Sequence, residues 1–268
     1  MKIGNGSSYI GDTVEIMKDL IAFGTKVDFV LTSPPYNMRG HAKEIYNNAI
    51  SFDDNKTNKD YQEWIVEIFK CYDSLLNKNG VVLFNLNYMS SLQNRAINVQ
   101  KVLCAIEEET PFTLIENICW KKTTAMPLQE ARLSRIWENV WVFIKDEDWK
   151  SFWEKNRYSL VGKQNYIEAP NNDGASDVNK ACFSSSMAEQ LLRIYNIEKS
   201  HIVLDNFMGT HTTAVACEKI GCPWIGIELD EKTFVFGKDR VNAFIGKYSE
   251  LEKHGAHNLF TVAEKGSK

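Results

Sequence analysis

Strand-length apolar runs alternate with helix-length amphipathic segments along most of this chain, and this alternation restricts the fold more than any other sequence feature. In the last third it is strict. Strands are predicted at residues 202–205 and 224–228, and helices at residues 187–195, 212–220 and 231–244. Ordered alternation of strands and helices predicts an α/β fold with a largely parallel sheet and helices on both faces.

The first half of the chain continues the pattern. Strands are predicted at residues 8–10, 27–31, 81–84, 114–120 and 140–144. Helical spacing of apolar residues predicts one helix after residue 13 and another over residues 92–106. The longest amphipathic helix, residues 61–76, is predicted to end at the Asn-Lys-Asn-Gly sequence that follows it. Residues 37–60 are polar and aperiodic, which is typical of a functional lid or a disordered loop.

The chain has 268 residues, of which 44% are apolar, which suits a single large domain spanning residues 1–268. Within that domain the composition of residues 146–180 changes to charged and polar residues with interleaved aromatic ones. We interpret this segment as a small insert and as a candidate target-recognition region.

Charge and cysteine usage exclude several classes of protein. Six cysteines are scattered without a Cys-x-x-Cys pair, which indicates reduced thiols in the cytoplasm rather than disulfides or a zinc site. Apolar runs are only strand-sized and no export signal is evident, so no membrane association is expected. The net charge of −4 restricts any contact with nucleic acid to a local basic patch.

The segment over residues 201–230 has the pattern of a nucleotide-binding βαβ unit. A strand ends in Asp205, a turn contains Gly209, a helix follows, and the next strand ends in Glu228. Glycine lets the backbone approach a ligand, and an acidic residue about 20 positions later commonly binds ribose hydroxyls. The alternative is an ordinary βαβ unit in which Asp205 only caps the helix.

The buried strand at residues 27–31 leads directly into Thr-Ser-Pro-Pro-Tyr-Asn. Consecutive prolines fix the backbone, so the carbonyls of Ser33 and Pro34 are held rigidly and can accept hydrogen bonds from a ligand NH₂ group. Tyr36 then offers a flat face for stacking on a base. The alternative is a strand ended by a rigid turn.

Together these segments resemble the β group of DNA amino-methyltransferases, in which the catalytic motif precedes the cofactor motif. Residues 33–36 are similar to the [D/N/S]PP[Y/F] motif of that family, and residues 205–213 are similar to its DPFxGxGTT motif. Residues 11–12, 120–122 and 138–145 give further similarity. The resemblance implies an enzyme with a Rossmann-like fold in permuted motif order, which methylates an exocyclic amine with S-adenosylmethionine.

The resemblance also implies residue roles. Catalysis is expected from Ser33, Pro34, Pro35 and Tyr36. Cofactor contacts are expected from Asp12, Thr32, Asp205, Phe207, Gly209, Thr210 and Glu228. Residues 183–186 lie where family members close the site, and no metal is required. The target base must be flipped out of the duplex. In this family serine at the first motif position favours cytosine N4, with adenine N6 as the alternative.

Double-stranded DNA is the implied partner, with a homodimer or a second subunit as a further possibility. Candidate DNA contacts are Arg39, Lys43, Lys121, Lys122, Arg132 and Arg135, with Lys150, Lys155, Arg157 and Lys163 from the insert. Each of these could instead be a solvated surface charge.

The chain departs from the family pattern at two positions. Asn206 stands where proline is usual, and His211 stands where glycine is usual. A histidine in that turn is expected either to crowd the methionine end of the cofactor or to point to solvent. These departures leave open a catalytically silent accessory subunit, and the same chemistry leaves open an RNA or protein amino-methyltransferase.

Overall fold

The computed structural model describes residues 1–37, 55–88, 95–124, 133–171, 173 and 182–253. The strands are β1 Lys2–Ile3, β2 Gly6–Ile10, β3 Val27–Thr32, β4 Leu76–Asn85, β5 Phe112–Lys122, β6 Trp137–Lys145, β7 Tyr166–Ala169, β8 Val203–Asp205 and β9 Trp224–Glu228. The helices are α1 Thr13–Ala22, α2 Asn58–Leu75, α3 Ala96–Glu109, α4 Trp149–Asn156, α5 Ser185–Ile194, α6 Thr212–Ile220 and α7 Glu231–Lys253. None of these helices is long and apolar enough to cross a membrane.

All of these strands belong to one sheet, in the order β1-β2-β9-β8-β3-β4-β6-β5-β7. The central strands β2, β9, β8, β3 and β4 are parallel, and β6 runs antiparallel to both of its neighbours. The predicted α/β fold with a largely parallel sheet is therefore confirmed.

Alternation along the central strands buries one apolar layer on each face of the sheet. One layer joins Leu31 of β3 to Leu191 of α5 and Ala214 of α6. The other joins Val30 of the same strand to Met17 of α1 and Ile65 of α2. Because successive side chains of a strand point to opposite faces, helices cover both sides of the sheet.

The direction in which successive strands are added to the sheet reverses between the parallel strands β8 and β3. From β8 the connection through α6 leads to β9 on one side, whereas from β3 the connection through α2 leads to β4 on the other. At such a switch point the loops after the two strands diverge, and open α/β sheets bind ligands in the resulting crevice. The ends of both predicted motif strands, Thr32 and Asp205, border this crevice.

One sequence-based interpretation of local structure is corrected. Helix α2 ends at Leu75, and the Asn-Lys-Asn-Gly sequence lies inside β4 rather than after the helix. It forms a bulge there, in which Asn79 takes a positive φ of 59° and its N–H donates to Asp148 at 2.6 Å. A bulge inserts extra residues into a strand while pairing resumes on either side.

The described part of residues 146–180 is built into the same sheet and core. Helix α4 contributes the fully buried Phe152, and β7 extends the sheet beyond β5 in parallel orientation. Because β6 is antiparallel to β4, α4 lies at the edge opposite to the ends of β3 and β8. The chain returns to their edge only at Ala169, which pairs with Lys122 at the end of β5.

Candidate active site

The structure joins the two sequence motifs directly. The Thr32 hydroxyl at the end of β3 donates a 2.8 Å hydrogen bond to Asp205 Oδ1 at the end of β8. The two residues are 173 positions apart in sequence and both are almost completely buried. The catalytic and cofactor segments therefore start from one shared point at the carboxyl edge of the sheet.

The carboxylate of Asp205 organises the loop that follows it. It accepts hydrogen bonds from the Thr32 hydroxyl, from the N–H of Phe207 at 3.1 Å and from the Thr213 hydroxyl at 2.5 Å. Burial raises the pKa of Asp205 to about 6, while these hydrogen bonds lower it. Asp205 therefore holds the loop in place and is more than a cap for the helix that follows.

Glu228 stands beside this loop at the end of β9. Its Oε2 accepts from the N–H of Gly209 at 2.8 Å, and its Oε1 accepts from the N–H of Asp230 at 2.8 Å. Gly209 has a φ of 51°, which glycine adopts readily. Burial raises the pKa of Glu228 to about 7, although the two N–H donors favour the ionised form.

Asp12 approaches the same place from β2. The N–H of Gly11 donates to the Glu228 carbonyl at 3.0 Å, and Asp12 Oδ1 caps α1 by accepting from Val14 and Glu15. Asp12 is exposed, and its Oδ2 has no hydrogen bond within the part of the chain that the structure describes.

The predicted cofactor residues divide into two groups by exposure. Thr32, Asp205 and Thr210 are at most 1% exposed and shape the loop from beneath. The residues that keep some solvent contact at the crevice are Asp12, Phe207, Gly209 and Glu228. Direct ligand contact is therefore geometrically open only to the second group in this conformation.

Asn206 links two helices beneath the loop. Its Oδ1 accepts a 2.6 Å hydrogen bond from the Tyr72 hydroxyl of α2, and its Nδ2 donates to the Thr13 hydroxyl of α1 at 2.8 Å. Burial raises the pKa of Tyr72 well above its usual value, so the phenol remains a donor. The departure from proline places a buried polar bridge here, not an obstacle in the crevice.

The ring of His211 points into the protein, so both of the orientations predicted from the sequence are wrong. His211 takes a left-handed conformation with a φ of 61° and is fully buried. Its Nε2 lies 2.9 Å from the Ser8 hydroxyl, and its ring packs edge-on against Phe234. It covers the bare backbone of Gly237, where a Cβ atom would lie 2.0 Å from Nδ1. Burial lowers the pKa of His211 to about 4.

Sequence reasoning missed Arg240 of α7, which fixes the loop from behind. Its guanidinium donates to the Thr210 carbonyl at 3.0 Å, to the Thr212 hydroxyl at 2.9 Å and to Asp173 at 3.0 Å. Asp173 also accepts from the N–H of Ser185, within the predicted closing segment at residues 183–186. No sequence motif marks Arg240, because its partners come from distant segments.

The Ser-Pro-Pro-Tyr segment forms a polar cluster with β4. The Ser33 hydroxyl lies 3.2 Å from Asn85 Oδ1 and 3.3 Å from the Tyr36 hydroxyl, and it can donate its single proton to either. The Tyr36 hydroxyl donates to Asn85 Oδ1 at 2.9 Å. Asn85, at the end of β4, was not predicted, although its position after the apolar run Val-Val-Leu-Phe resembles that of Ser33 after β3.

The prolines present their carbonyls differently. The Pro35 carbonyl accepts a 2.8 Å hydrogen bond from the Tyr61 hydroxyl of α2. The Pro34 carbonyl has no hydrogen-bond donor among the described residues. Asn37 then takes a φ of 54° and bonds both backbone groups of Lys56, which fixes the start of the loop.

Glu138 and Lys122 extend the cluster. Glu138 Oε2 lies 3.4 Å from the Tyr36 hydroxyl and 3.4 Å from Asn85 Nδ2, and Oε1 is paired with the Lys122 ammonium. Both residues lie in segments that are similar to the family, but no sequence pattern indicates a role for Glu138.

The remaining basic candidates occupy varied positions. Lys121 pairs with Glu168 on the surface at 2.8 Å. Arg135 stacks on Tyr88 at 4.5 Å from the ring centroid and donates to its carbonyl. Arg39, Lys43 and Arg132 lie outside the described residues.

The basic residues of the insert are placed away from the polar cluster. Lys150 and Lys155 belong to α4 at the opposite edge of the sheet, and Arg157 follows directly after that helix. The Lys163 ammonium donates to the carbonyls of Arg193 and Ile194 at the end of α5, with the closer contact at 2.6 Å. Lys163 therefore caps a helix.

The crevice at the switch point of the parallel sheet has a glycine turn and an acidic strand end on one side and the Ser-Pro-Pro-Tyr cluster on the other. This arrangement is typical of an enzyme that binds a nucleoside-containing cofactor. The family model described as DNA methylase, of the N6/N4 type, matches residues 27–236. The chain belongs to this family of DNA amino-methyltransferases, whose cofactor is S-adenosylmethionine.

Two curated relatives are type II methyltransferases. M.PvuII from Proteus hauseri is 24% identical over 84% of this chain and 80% of its own length, and M.ScaI from Streptomyces caespitosus is 22% identical over 88% and 81%. The solved structure titled PvuII DNA methyltransferase (cytosine-N4-specific) superposes with a TM-score of 0.65 at 18% identity, covering 92% of this chain and 93% of that one. The complex of M1.HpyAVI with S-adenosylmethionine gives 0.60 at 23% identity, covering 88% and 99%.

Proposed function

We propose that this chain methylates N4 of cytosine within a short sequence of double-stranded DNA, with Ser33, Pro34 and Tyr36 in the reaction pocket. The observation that carries the proposal is the Ser33 hydroxyl, whose hydrogen-bond partners leave its oxygen free to accept. Its proton is directed to Asn85 or Tyr36, so its lone pairs remain for an N–H of the target amine.

The Pro34 carbonyl is the second acceptor, because no described donor occupies it. An exocyclic amine is a poor nucleophile while its lone pair is delocalised into the ring. Two acceptors placed on its two N–H groups favour localisation of that pair. The rigid Pro-Pro backbone holds both acceptors in position without further ordering.

Tyr36 is positioned for stacking on a base that has left the duplex. Its hydroxyl is held by Asn85, so the ring orientation is fixed before DNA binds. The ring remains partly exposed, and sequence-tolerant stacking on aromatic faces is how proteins hold unpaired bases.

The crevice residues suit S-adenosylmethionine. The cofactor supplies the methyl group on a positively charged sulfur. Glu228 would hold the ribose hydroxyls, since a partly buried carboxylate with two ordered N–H neighbours is a strong acceptor. Gly209 and Phe207 would lie against the remainder, and Asp12 would face the adenine.

Cytosine is favoured over adenine on two grounds. The first motif residue is serine, which accompanies N4-cytosine activity in the family that the chain resembles. In addition, the superposed PvuII enzyme is titled cytosine-N4-specific. The alternative within the same family is N6 of adenine.

The silent accessory subunit is less well supported. Its motivation was the pair of departures at Asn206 and His211, and both side chains are engaged beneath the loop instead of obstructing the crevice. Calorimetry with S-adenosylmethionine separates the two possibilities, because a silent subunit of this kind would not bind the cofactor productively.

Contacts with the DNA backbone are proposed for the basic residues at the catalytic edge, including Lys121 and Arg135, and for Arg39, Lys43 and Arg132. Recognition of the target by residues 146–180 also remains a prediction. Its described part reaches the catalytic edge at Ala169 and includes Asp173, which bonds Arg240 behind the cofactor loop, so a recognition element there would have to follow Ala169.

The test is methyl transfer to mixed-sequence duplex DNA from labelled S-adenosylmethionine, with the DNA digested to nucleosides and resolved by chromatography and mass. Label in N4-methyl-2′-deoxycytidine is expected, and its loss in Ser33→Ala with unchanged cofactor affinity would place Ser33 in the chemistry. Label confined to N6-methyl-2′-deoxyadenosine would refute the choice of base. Label in RNA but not in DNA would refute the substrate.

A further inference from the structure

A partly buried ion pair stands beside the catalytic cluster. The side chains of Lys122 and Glu138 are only 14% and 17% exposed. Removing two charges from water costs about as much as their attraction returns, so such a pair contributes little net stability. The neighbouring pair of Lys121 with Glu168 is 42% and 47% exposed and is an ordinary surface contact. A better explanation for this pair is that Glu138 holds the Lys122 ammonium in place at this edge.

The pair is connected to the Ser-Pro-Pro-Tyr segment by a continuous row of polar contacts. Ser33 contacts Asn85 at 3.2 Å, Asn85 contacts Glu138 at 3.4 Å, and Glu138 pairs with Lys122. The Tyr36 hydroxyl is also 3.4 Å from Glu138. The row therefore starts at the proposed acceptor of the amine, passes the proposed stacking residue and ends at a cation.

The ammonium of Lys122 has donors to spare. It carries three N–H donors, and Glu138 is its hydrogen-bond partner among the described residues. It lies 5.3 Å from the centroid of the Trp120 ring, which takes no N–H group in a conventional hydrogen bond. A ligand acceptor can therefore be bound without breaking the ion pair.

Cytosine and adenine each carry the amine at one end of the Watson–Crick edge, and they differ in the group at its other end. Cytosine carries its NH₂ group at one end, a ring nitrogen in the middle and the O2 carbonyl at the other end. Adenine carries NH₂ and a ring nitrogen, followed by a C–H group. A cation at the far end of the row thus has a partner only in cytosine.

We propose that Lys122, held in place by Glu138, selects cytosine by donating a hydrogen bond to its O2 carbonyl. The proposal rests on the proposed N4-cytosine function and gives Lys122 a contact with the base rather than with phosphate. A site that makes a hydrogen bond to a substrate group discriminates against analogues lacking it, because the spare donor aimed at that group is then left without an acceptor.

The test compares cytosine with 2-thiocytosine at the target position. Thiocarbonyl sulfur is a weak acceptor, whereas the amine and the ring nitrogen are retained. The target sequence is first mapped by sequencing modified bases in DNA from cells that express the protein. Synthetic duplexes with either base are then methylated by the wild type, by Lys122→Met, and by Lys122→Met/Glu138→Gln, which avoids an unpaired carboxylate. Lys121→Met is the matched control.

The wild type should methylate the sulfur-containing duplex roughly 10- to 100-fold more slowly, as for the loss of a hydrogen bond to a charged group. Both Lys122 variants should be slow on both duplexes, with a ratio near one. Lys121→Met should keep the wild-type ratio, whatever its effect on DNA affinity. Cofactor calorimetry and thermal unfolding confirm that each variant is folded.

A double variant that retains the wild-type ratio would overturn the role of Lys122, as would a wild type insensitive to the sulfur. N4-methylcytosine in the mapped DNA would leave the proposed function standing in both cases. Mapped DNA that contains only N6-methyladenine would instead overturn the proposed function itself, and the selection of cytosine with it.

Discussion

Affinity for the adenosine part of the cofactor is expected to fall as the pH is lowered from 8 to 6, because Glu228 must be ionised to accept hydrogen bonds from the ribose. Burial raises the pKa of Glu228 from 4.5 to about 7. The ribose hydroxyls are good donors to a carboxylate and poor partners for a neutral carboxyl group that already receives two N–H bonds.

The magnitude follows from that pKa. About nine-tenths of the carboxyl groups are ionised at pH 8 and about one-tenth at pH 6, so affinity should fall about tenfold, or about 1.4 kcal/mol. The folded pKa lies above the unfolded one, so ionisation destabilises the free protein progressively from pH 4.5 to about 7. At about 1.36 kcal/mol per pKa unit this cost is at most about 3 kcal/mol, because Glu228 keeps some solvent contact.

The contribution of Glu228 can be separated from those of the other buried groups by comparison with a variant. Burial lowers the pKa of His211 to about 4, below the window of pH 6 to 8, but raises that of Asp205 to about 6, so Asp205 also titrates near the lower end of the window. The ligand should be 5′-methylthioadenosine, which retains the ribose without the ionisable amino-acid portion of the cofactor. Calorimetry at half-unit steps between pH 6 and 8, on the wild type and on Glu228→Gln, then gives the contribution of Glu228 by difference.

Glu228→Gln should bind roughly 10- to 100-fold more weakly at pH 8 and should lose the tenfold fall in affinity, apart from the part that protonation of Asp205 contributes near pH 6. Glu231→Gln, which changes an exposed carboxylate three residues later, should keep the wild-type profile. A flat profile in the wild type, or a profile in Glu228→Gln as steep as that of the wild type, would refute the assignment.

Three further predictions concern the motif residues. Tyr36→Ala should abolish methyl transfer while leaving the melting temperature and cofactor affinity nearly unchanged; a variant that unfolds would instead indicate a purely structural Pro-Pro-Tyr turn. Asn206→Ala should destabilise the protein by about 2–4 kcal/mol in urea unfolding, because the hydroxyls of Tyr72 and Thr13 both lose their hydrogen-bond partner. The double variant Asn206→Ala/Tyr72→Phe should recover part of that loss, and no recovery would contradict the bridge. His211→Gly should relieve a left-handed backbone yet cost about 1–3 kcal/mol at pH 7 through lost packing. Because burial lowers the pKa of His211 from 6.5 to about 4, wild-type stability attributable to this group is complete above pH 6.5 and is lost toward pH 4, and urea unfolding at pH 7 and 5 should show that this loss is absent from the variant. A glycine variant more stable than the wild type at both pH values would refute the packing argument.

The sequence alone was sufficient for the class of fold and for both motifs, because those signals are local. The apolar periodicity of a helix or strand depends on residues only a few positions apart in sequence. The strand ends at Asp205 and Glu228, with Gly209 in the turn between, are likewise contained in one βαβ unit. Ser33 to Tyr36 were recognisable because they directly follow a buried strand.

Only the tertiary structure decided which side chains meet. Asn85 and Glu138 join Ser33 because β4 and β6 happen to be adjacent in the sheet, and Arg240 reaches Thr210 across 30 residues. The pattern of a strand gives the face on which a side chain lies but not the neighbouring strand.

The same reason explains the one residue whose orientation was wrong. His211 was expected to crowd the cofactor or to point to solvent, because Ser8, which meets its ring inside the protein, lies on another strand. The orientation of a buried polar side chain depends on which hydrogen-bond partners it meets. Those partners depend on the order in which the crossover connections place the strands, and no local stretch of the chain encodes that order.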